Sequence, residues 1–305
     1  MTAISLTNVG KRFKQKGVSI EALSDVSLSV EQGEVFGFVG PNGAGKSTTI
    51  KIILDIISDY QGDVRIFGHS ARDAVARRQV GYVPESPALY EQLSPMEILR
   101  AGLALHQIRR TDADTWCMKW LERFSVAHVA HRPLRQLSKG TAQRVALAHA
   151  MVVSPRLLIL DEPLSGLDPI GRKDVVDILA EYQREGGTIF LTSHVLHDVE
   201  RLANRFGLIH KGALHAVRAP SELAGAEETL VIRSRGEASL LPNMVAESGG
   251  RWLIEVPRAE LWDTLHLLET GGHSMIEVKS ALSLEQAFLS IVGATEARSL
   301  SSPNT

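Results

Sequence analysis

The chain has 305 residues, 44% of them hydrophobic and 22% charged, enough for one large domain with a small one or for two medium domains, each with ample core. A formal charge of −2 lacks the strongly basic footprint of non-specific nucleic-acid binding, and the single cysteine, Cys117, rules out an internal disulfide and any multi-cysteine zinc site. There is no basic segment followed by an apolar one at the N-terminus and no apolar run near about eighteen residues, so neither signal peptide nor membrane span is expected.

The first thirty residues alternate weakly (ISLTNV, then EALSDVSLSVEQGEV) and predict short antiparallel strands. VFGFV, residues 35–39, then reads as a buried strand, and STTIKIILDII, residues 47–57, as a buried helix. Between them lies GPNGAGKST: Gly40, Pro41, Asn42, Gly43, Ala44, Gly45, Lys46, Ser47 and Thr48. Its glycines let successive N–H groups point into one concavity at a helix N-terminus, which suits a phosphate chain. Lys46 adds a charge for the outer phosphates and Ser47 an oxygen for Mg2+. The alternative, a glycine-rich turn with an exposed lysine, does not account for the strand and helix on either side.

From Ser94 to about Pro155 the pattern is helical. SPME, Ser94 to Glu97, forms a capping box with proline at the first helical position. Trp116, Trp120 and Phe124 recur every four residues on one apolar face, and Cys117 reads as a small apolar residue on the same helix. Next come a buried strand, RLLILDEP, a helix from about Pro169 to Arg184, and a strand, TIFLTSH. Strands alternating with helices predict an α/β architecture with a mostly parallel sheet.

Composition shifts near Pro220. Beyond it the sequence predicts strands LVIR, RWLIEV and MIEVKS, a helix AELWDTLHLLE, and a last helix SLEQAFLSIVG opened by a capping box from Ser283 to Gln286. The expected organisation is a first domain over residues 1–220 with a helical part at about 94–155, a small α+β appendage over 221–293, and a frayed tail over 294–305. There is no internal repeat or low-complexity segment.

LLILDEP delivers Asp161 and Glu162 to the carboxyl end of a strand, where open α/β sheets bind ligands. Adjacent acids there can divide the work, one holding Mg2+ through its water and the other polarising an attacking water. Taken alone, the same pair could equally be a solvated strand end.

LSKGTAQRVALAHAM, Leu137 to Met151, resembles the signature of the ATP-binding cassette (ABC) ATPases, LSGGQ followed by a helix containing QRVA. Ser138 and Gly140 match, and Lys139 and Thr141 depart from the usual Gly and Gln. In order the chain then reads phosphate loop, Gln-loop position, signature, magnesium-binding strand, the SGLD loop at Ser165 to Asp168, and a switch histidine, His194, in LTSHVLHDVE. About ninety residues between phosphate loop and signature fit one compact helical insertion.

This resemblance implies a P-loop NTPase cassette with a RecA-like core, an antiparallel β subdomain and a helical subdomain. It implies ATP and Mg2+ as cofactors and a head-to-tail homodimer or heterodimer, each ATP held between the phosphate loop of one protomer and the signature of the other. Lys46 and the loop amides would hold the phosphates, Ser47, Glu85 and Asp161 would organise Mg2+, and Glu162 would orient or deprotonate water. His194 would contact the γ-phosphate, Ser138 and Gly140 would meet the partner's nucleotide, and Asp168 would link the two sites. Phe13, in KRF, falls where the family keeps an aromatic to stack on adenine. Glu85, in GYVPES, replaces the usual glutamine and adds charge beside the phosphates. His149 and His197 read as structural.

Glu85, LSKG and the ending SLEQAFL are similar to cassettes serving exporters of drugs, polysaccharides, ions or lipids. On that reading the chain is the ATPase subunit of an exporter, cytoplasmic and bound at the inner face of the membrane through an integral permease, with no nucleic-acid partner. Two other readings are a soluble cassette ATPase acting on ribosomes or DNA and a non-enzymatic nucleotide-sensing scaffold. The first would call for two fused cassettes, a long coiled coil or zinc cysteines, and the second has no need of Glu162.

Overall fold

The computed structural model describes residues 1–15, 18–195, 199–219, 222 and 229–280. His197, the helix expected around Ser283 to Gln286 and the tail from Ala294 lie outside the described residues. The chain divides into two compact units, Met1–Val217 and Arg218–Thr305.

The first unit opens with β1 (Thr2–Gln15) and β2 (Val18–Glu31), paired antiparallel. Short strands are expected there; each in fact has 14 residues. The ladder survives that length because several register shifts interrupt it and take up the twist, and Asn8 and Asp25, both at positive φ, face each other with Asn8 Nδ2 donating to Asp25 Oδ1 at 2.6 Å. β4 (Gln61–Ile66) and β5 (His69–Ser70) complete a sheet in the order β2-β1-β4-β5.

The central sheet has the order β10-β9-β3-β8-β7-β6. Its members are β3 (Val35–Val39), β6 (Val80–Val83), β7 (Leu157–Asp161), β8 (Thr188–Ser193), β9 (Arg205–His210) and β10 (Ala213–Arg218). The run β9-β3-β8-β7-β6 is parallel throughout. Every residue of β3, β7 and β8 is buried, as expected for central strands covered on both faces. Phe36 and Phe190 stack between neighbouring strands with ring centroids 5.9 Å apart.

α1 (Lys46–Ile53) leaves the end of β3. The helical pattern continues to Ile57, but the helix stops four residues sooner: Asp55 takes φ 57°, and the N–H groups of Ile56 and Ile57 both return to Lys51 O. Past a short helix, α2 (Ala74–Arg77), the helical part comprises α3 (Pro95–Leu105), α4 (Ala113–Arg123) and α5 (Lys139–Val152). Both halves of the Ser94–Glu97 capping box form. Along α4 Trp116 meets Trp120 edge to face, Trp120 stacks on Phe124 at the helix end, and Trp116 Nε1 donates to Val152 O on α5 at 2.8 Å. Cys117 is buried and free. α6 (Pro169–Arg184) occupies the expected span and is capped by Asp168.

The second unit contains the antiparallel sheet β12-β13-β11-β14: β11 (Thr229–Arg235), β12 (Val245–Glu247), β13 (Arg251–Pro257) and β14 (Ser274–Ser280). β12 is too short to register as a sequence pattern. Leu268 of α7 (Leu261–Thr270) packs with Ile232, Ile254 and Val256 in a core of its own. Among the described residues, no helix is long and apolar enough to cross a membrane.

Candidate nucleotide-binding and hydrolytic site

The parallel strands point their carboxyl ends at one side of the sheet, and the candidate site collects there. At the end of β3 the chain turns through Gly45, the residue ahead of α1, at φ 114°. A Cβ there would stand 2.7 Å from Leu23 Cδ2 and 2.9 Å from Ala22 O, so both the backbone angle and the space require glycine. The amides of this turn and the positive end of α1 face a cleft of about 380 Å3. Pro41, Asn42, Gly43, Ala44, Gly45, Lys46, Ser47 and Thr48 line it, joined by Ala22 of β2, Glu85 and Glu162.

Lys46 is buried, its Nζ donating to Gly40 O at 2.7 Å and lying 3.5 Å from Glu162 Oε1. A buried ammonium needs such partners, and the ones it has sit at the rim of the phosphate cradle. Glu162 is also buried and takes φ 51°, the left-handed region that favours glycine. Its N–H lies 3.1 Å from Thr192 Oγ1 and 3.3 Å from Thr192 O. His194 Nδ1 stands 2.9 Å from its Oε2, and the buried Oε1 has no hydrogen-bond partner. An ionised carboxylate only accepts, so Nδ1 carries the proton of this contact. Glu162 also lines a second, smaller cavity with His194 and residues 163–166.

Asp161, at the end of β7, is buried beneath this arrangement and accepts from Thr192 Oγ1 at 2.5 Å. Thr192 therefore serves both acids, donating to one and accepting from the amide of the other. Burial first, and the Asp161 carboxylate second, hold the Tyr82 phenol above its ordinary range. The residues lining the cleft include the hydroxyl-bearing Ser47 and Thr48 and the carboxylate-bearing Glu85 and Glu162, whose oxygens are the hard donors that Mg2+ takes alongside phosphate oxygens. The orphaned Oε1 of Glu162 shows that the cavity is unsatisfied as it stands. No cluster of three or more His, Cys, Asp or Glu that could hold a metal by itself occurs among the described residues.

The structure thus brings together Lys46, Ser47, Glu85, Glu162 and His194, with Asp161 just below. It leaves Ser138, Gly140 and Asp168 outside the phosphate cleft. Ser138 caps α5, its Oγ accepting from Thr141 N–H, and Asp168 caps α6, accepting from Gly171 N–H and lying 3.7 Å from Arg144. Phe13 lies on β1, paired with Ile20 and partly exposed, with Lys11 Nζ 5.0 Å from its ring centroid. His149, expected to be structural, is half-buried against α3, its ring filling the space that a side chain at Gly102 would need. Sequence reasoning does not single out Thr192, Gln143 or Arg144 as functional. The one local signal is a threonine inside the buried run TIFLTS.

The chain matches the family described as ABC transporter over residues 23–165. It is 35% identical to an ABC transporter ATP-binding protein of Nostoc, over 91% of this chain and 84% of that one. It is 30% identical to the daunorubicin resistance ATP-binding protein DrrA3 of Streptomyces coeruleorubidus, over 96% of each. Among solved structures, an ATP-binding subunit of an ABC transporter superposes with a TM-score of 0.67 at 29% identity, covering 73% of this chain and 92% of the other.

Proposed function

The chain belongs to the ATP-binding proteins of ABC transporters, with their cassette fold and ATPase activity, and from that premise we propose that it is the motor of an exporter, working through a separate integral membrane permease. The observation that carries the hydrolytic part is the line Lys46–Glu162–His194 at the mouth of the phosphate loop. Export is supported by the near full-length likeness to a protein named for daunorubicin resistance.

Loop amides, the α1 N-terminus and Lys46 bind the β- and γ-phosphates, with Lys46 exchanging Gly40 O and Glu162 for phosphate oxygens. Ser47, Glu85 and Asp161 are the residues that would hold Mg2+, which when bound neutralises charge on the phosphates. A water attacks the γ-phosphorus: its O–P bond forms as the bond to the β,γ-bridging oxygen breaks, ADP leaves, and the proton passes to Glu162 Oε1, the oxygen left without a partner. His194 keeps Glu162 turned that way by donating to Oε2. Phe13 would stack on adenine, and Ser138, Gly140 and Asp168 would act across a head-to-tail dimer, since in one chain they stand away from the phosphate cleft. Because ATP would bridge two protomers, binding closes the dimer and hydrolysis reopens it.

On this reading the protein sits on the inner face of the cell membrane, held by the permease. The second unit, with a core of its own, would stabilise the dimer or regulate it; a chain ended near residue 221 that dimerises and hydrolyses ATP normally in the assembled complex contradicts that role. The transport reading is tested by purifying the tagged protein from detergent-solubilised native membranes and identifying what accompanies it by mass spectrometry. A multi-span membrane protein in near-equal amount is expected. Recovery of ribosomal or DNA-bound proteins alone would overturn it and leave a soluble ATPase.

A further inference from the structure

The helix that begins with the signature turn grips the loop carrying the base of its own chain. Gln143, on α5 and almost fully buried, donates from Nε2 to the carbonyl of Pro163 at 3.2 Å. Arg144, the next residue, lies 3.7 Å from Asp168 and 3.5 Å from Asp174, and donates to Phe124 O at the end of α4. At the start of α5, Gly140 approaches the same loop so closely that a Cβ would stand 3.0 Å from Gly166 O. Residues 162–168 are therefore fastened to α5 along one side, while Thr192 of β8 holds Glu162 N–H on the other.

Glu162 needs such fastening. It holds a left-handed φ of 51° with an ordinary side chain, a conformation that persists only where the surroundings fix it. The Pro163 carbonyl is the first hydrogen-bonding group beyond that strained residue, because proline has no N–H of its own.

We infer that Gln143 is a positioning residue for hydrolysis: through the Pro163 carbonyl it sets the turn at Glu162 and ties the place of the base to the place of the signature helix on the same chain. The inference rests on the reading of Glu162 as the base. Without the donor, Pro163 O becomes a buried acceptor with no partner, the loop shifts to satisfy it, and the carboxylate leaves its line between Lys46 and His194.

The test uses the full-length chain with Gln143→Met, which keeps length and volume and removes the donor. The expected result is a kcat lower by about tenfold or more, since small misplacements of catalytic groups are costly, with ATP affinity measured without turnover within about twofold of wild type. A folded variant with wild-type kcat, or one losing kcat and ATP affinity together, overturns the inference. Should Gln143→Met fail to fold, Gln143→Glu decides. A protonated carboxyl can donate to Pro163 O and an ionised one cannot, so its kcat relative to wild type must rise as pH falls, and a flat ratio is contrary. In a Glu162→Gln background, Gln143→Met should lower the residual rate no further; the same loss there contradicts action through Glu162. Undiminished turnover in Glu162→Gln alone overturns the base reading and with it this route, whereas a crippled Glu162→Gln beside an unaffected Gln143→Met overturns the inference only.

Discussion

His194 Nδ1 lies 2.9 Å from one oxygen of Glu162, and the other oxygen faces Lys46 at 3.5 Å with no hydrogen bond of its own. The carboxylate is thus pinned on one side and left without a hydrogen bond on the other, where a base can receive a proton. His194→Ala should lower kcat by about ten- to a hundredfold with little change in ATP affinity. His194→Gln, which keeps a donor, should retain more activity. Steady-state turnover beside equilibrium nucleotide binding separates the two effects, and equal losses in both variants would remove the donor role.

Thr192 joins the two acids, donating to Asp161 and accepting from the Glu162 amide. Thr192→Val preserves shape, takes this donor from the buried Asp161 carboxylate and leaves the Glu162 N–H only the 3.3 Å contact with the Thr192 carbonyl. Stability should fall by about 1–3 kcal/mol, measured by denaturant unfolding, and kcat should fall as well. A variant as stable as wild type would show that Asp161 and Glu162 find other partners.

Ser47 offers its hydroxyl to the phosphate cleft. Ser47→Ala should weaken ATP binding in the presence of Mg2+ and leave the weaker binding measured with a chelator almost unchanged. Equal weakening under both conditions would assign Ser47 to the phosphates instead. Chelation of Mg2+ should stop hydrolysis by the wild-type chain.

Burial first, and the neighbouring His106 second, hold the His149 imidazole below its ordinary range. The folded state thus binds this proton less readily than the unfolded chain, so His149 contributes no penalty well above about pH 6.5 and an increasing one as pH falls from there toward its folded value. Stability should decline over that acidic window and decline less in His149→Gln, followed by thermal unfolding at a series of pH values. Identical slopes in the two proteins would contradict the assignment.

How much of this was legible depends on how local each feature is. The phosphate loop can be read because its strand, glycines, lysine and helix are contiguous, and the Ser94–Glu97 box and the Asp168–Pro169 helix start can be read for the same reason. The helix after the phosphate loop ends early at Asp55, which periodicity does not register because the apolar run continues beyond it. The strands before the loop are long because pairing tolerates register shifts, whereas a broken alternation suggests short ones. Thr192, Gln143 and Arg144 escape notice because their partners lie between 20 and 31 residues away in the chain, and only folding sets them against Pro163, Phe124 and Asp161. The line from Lys46 through Glu162 to His194 is likewise absent from any single motif; each member announces a role, and the distances join them.

The most direct measurement is the turnover and ATP binding of Glu162→Gln, made on the full chain with Mg2+. Retained ATP binding, a dimer trapped by nucleotide and a steady-state rate lower by about a hundredfold or more are expected if Glu162 is the base of an ATP-driven cycle. Turnover equal to wild type would contradict the account at its centre, because among the described residues no other lines both the phosphate cleft and the cavity that holds His194.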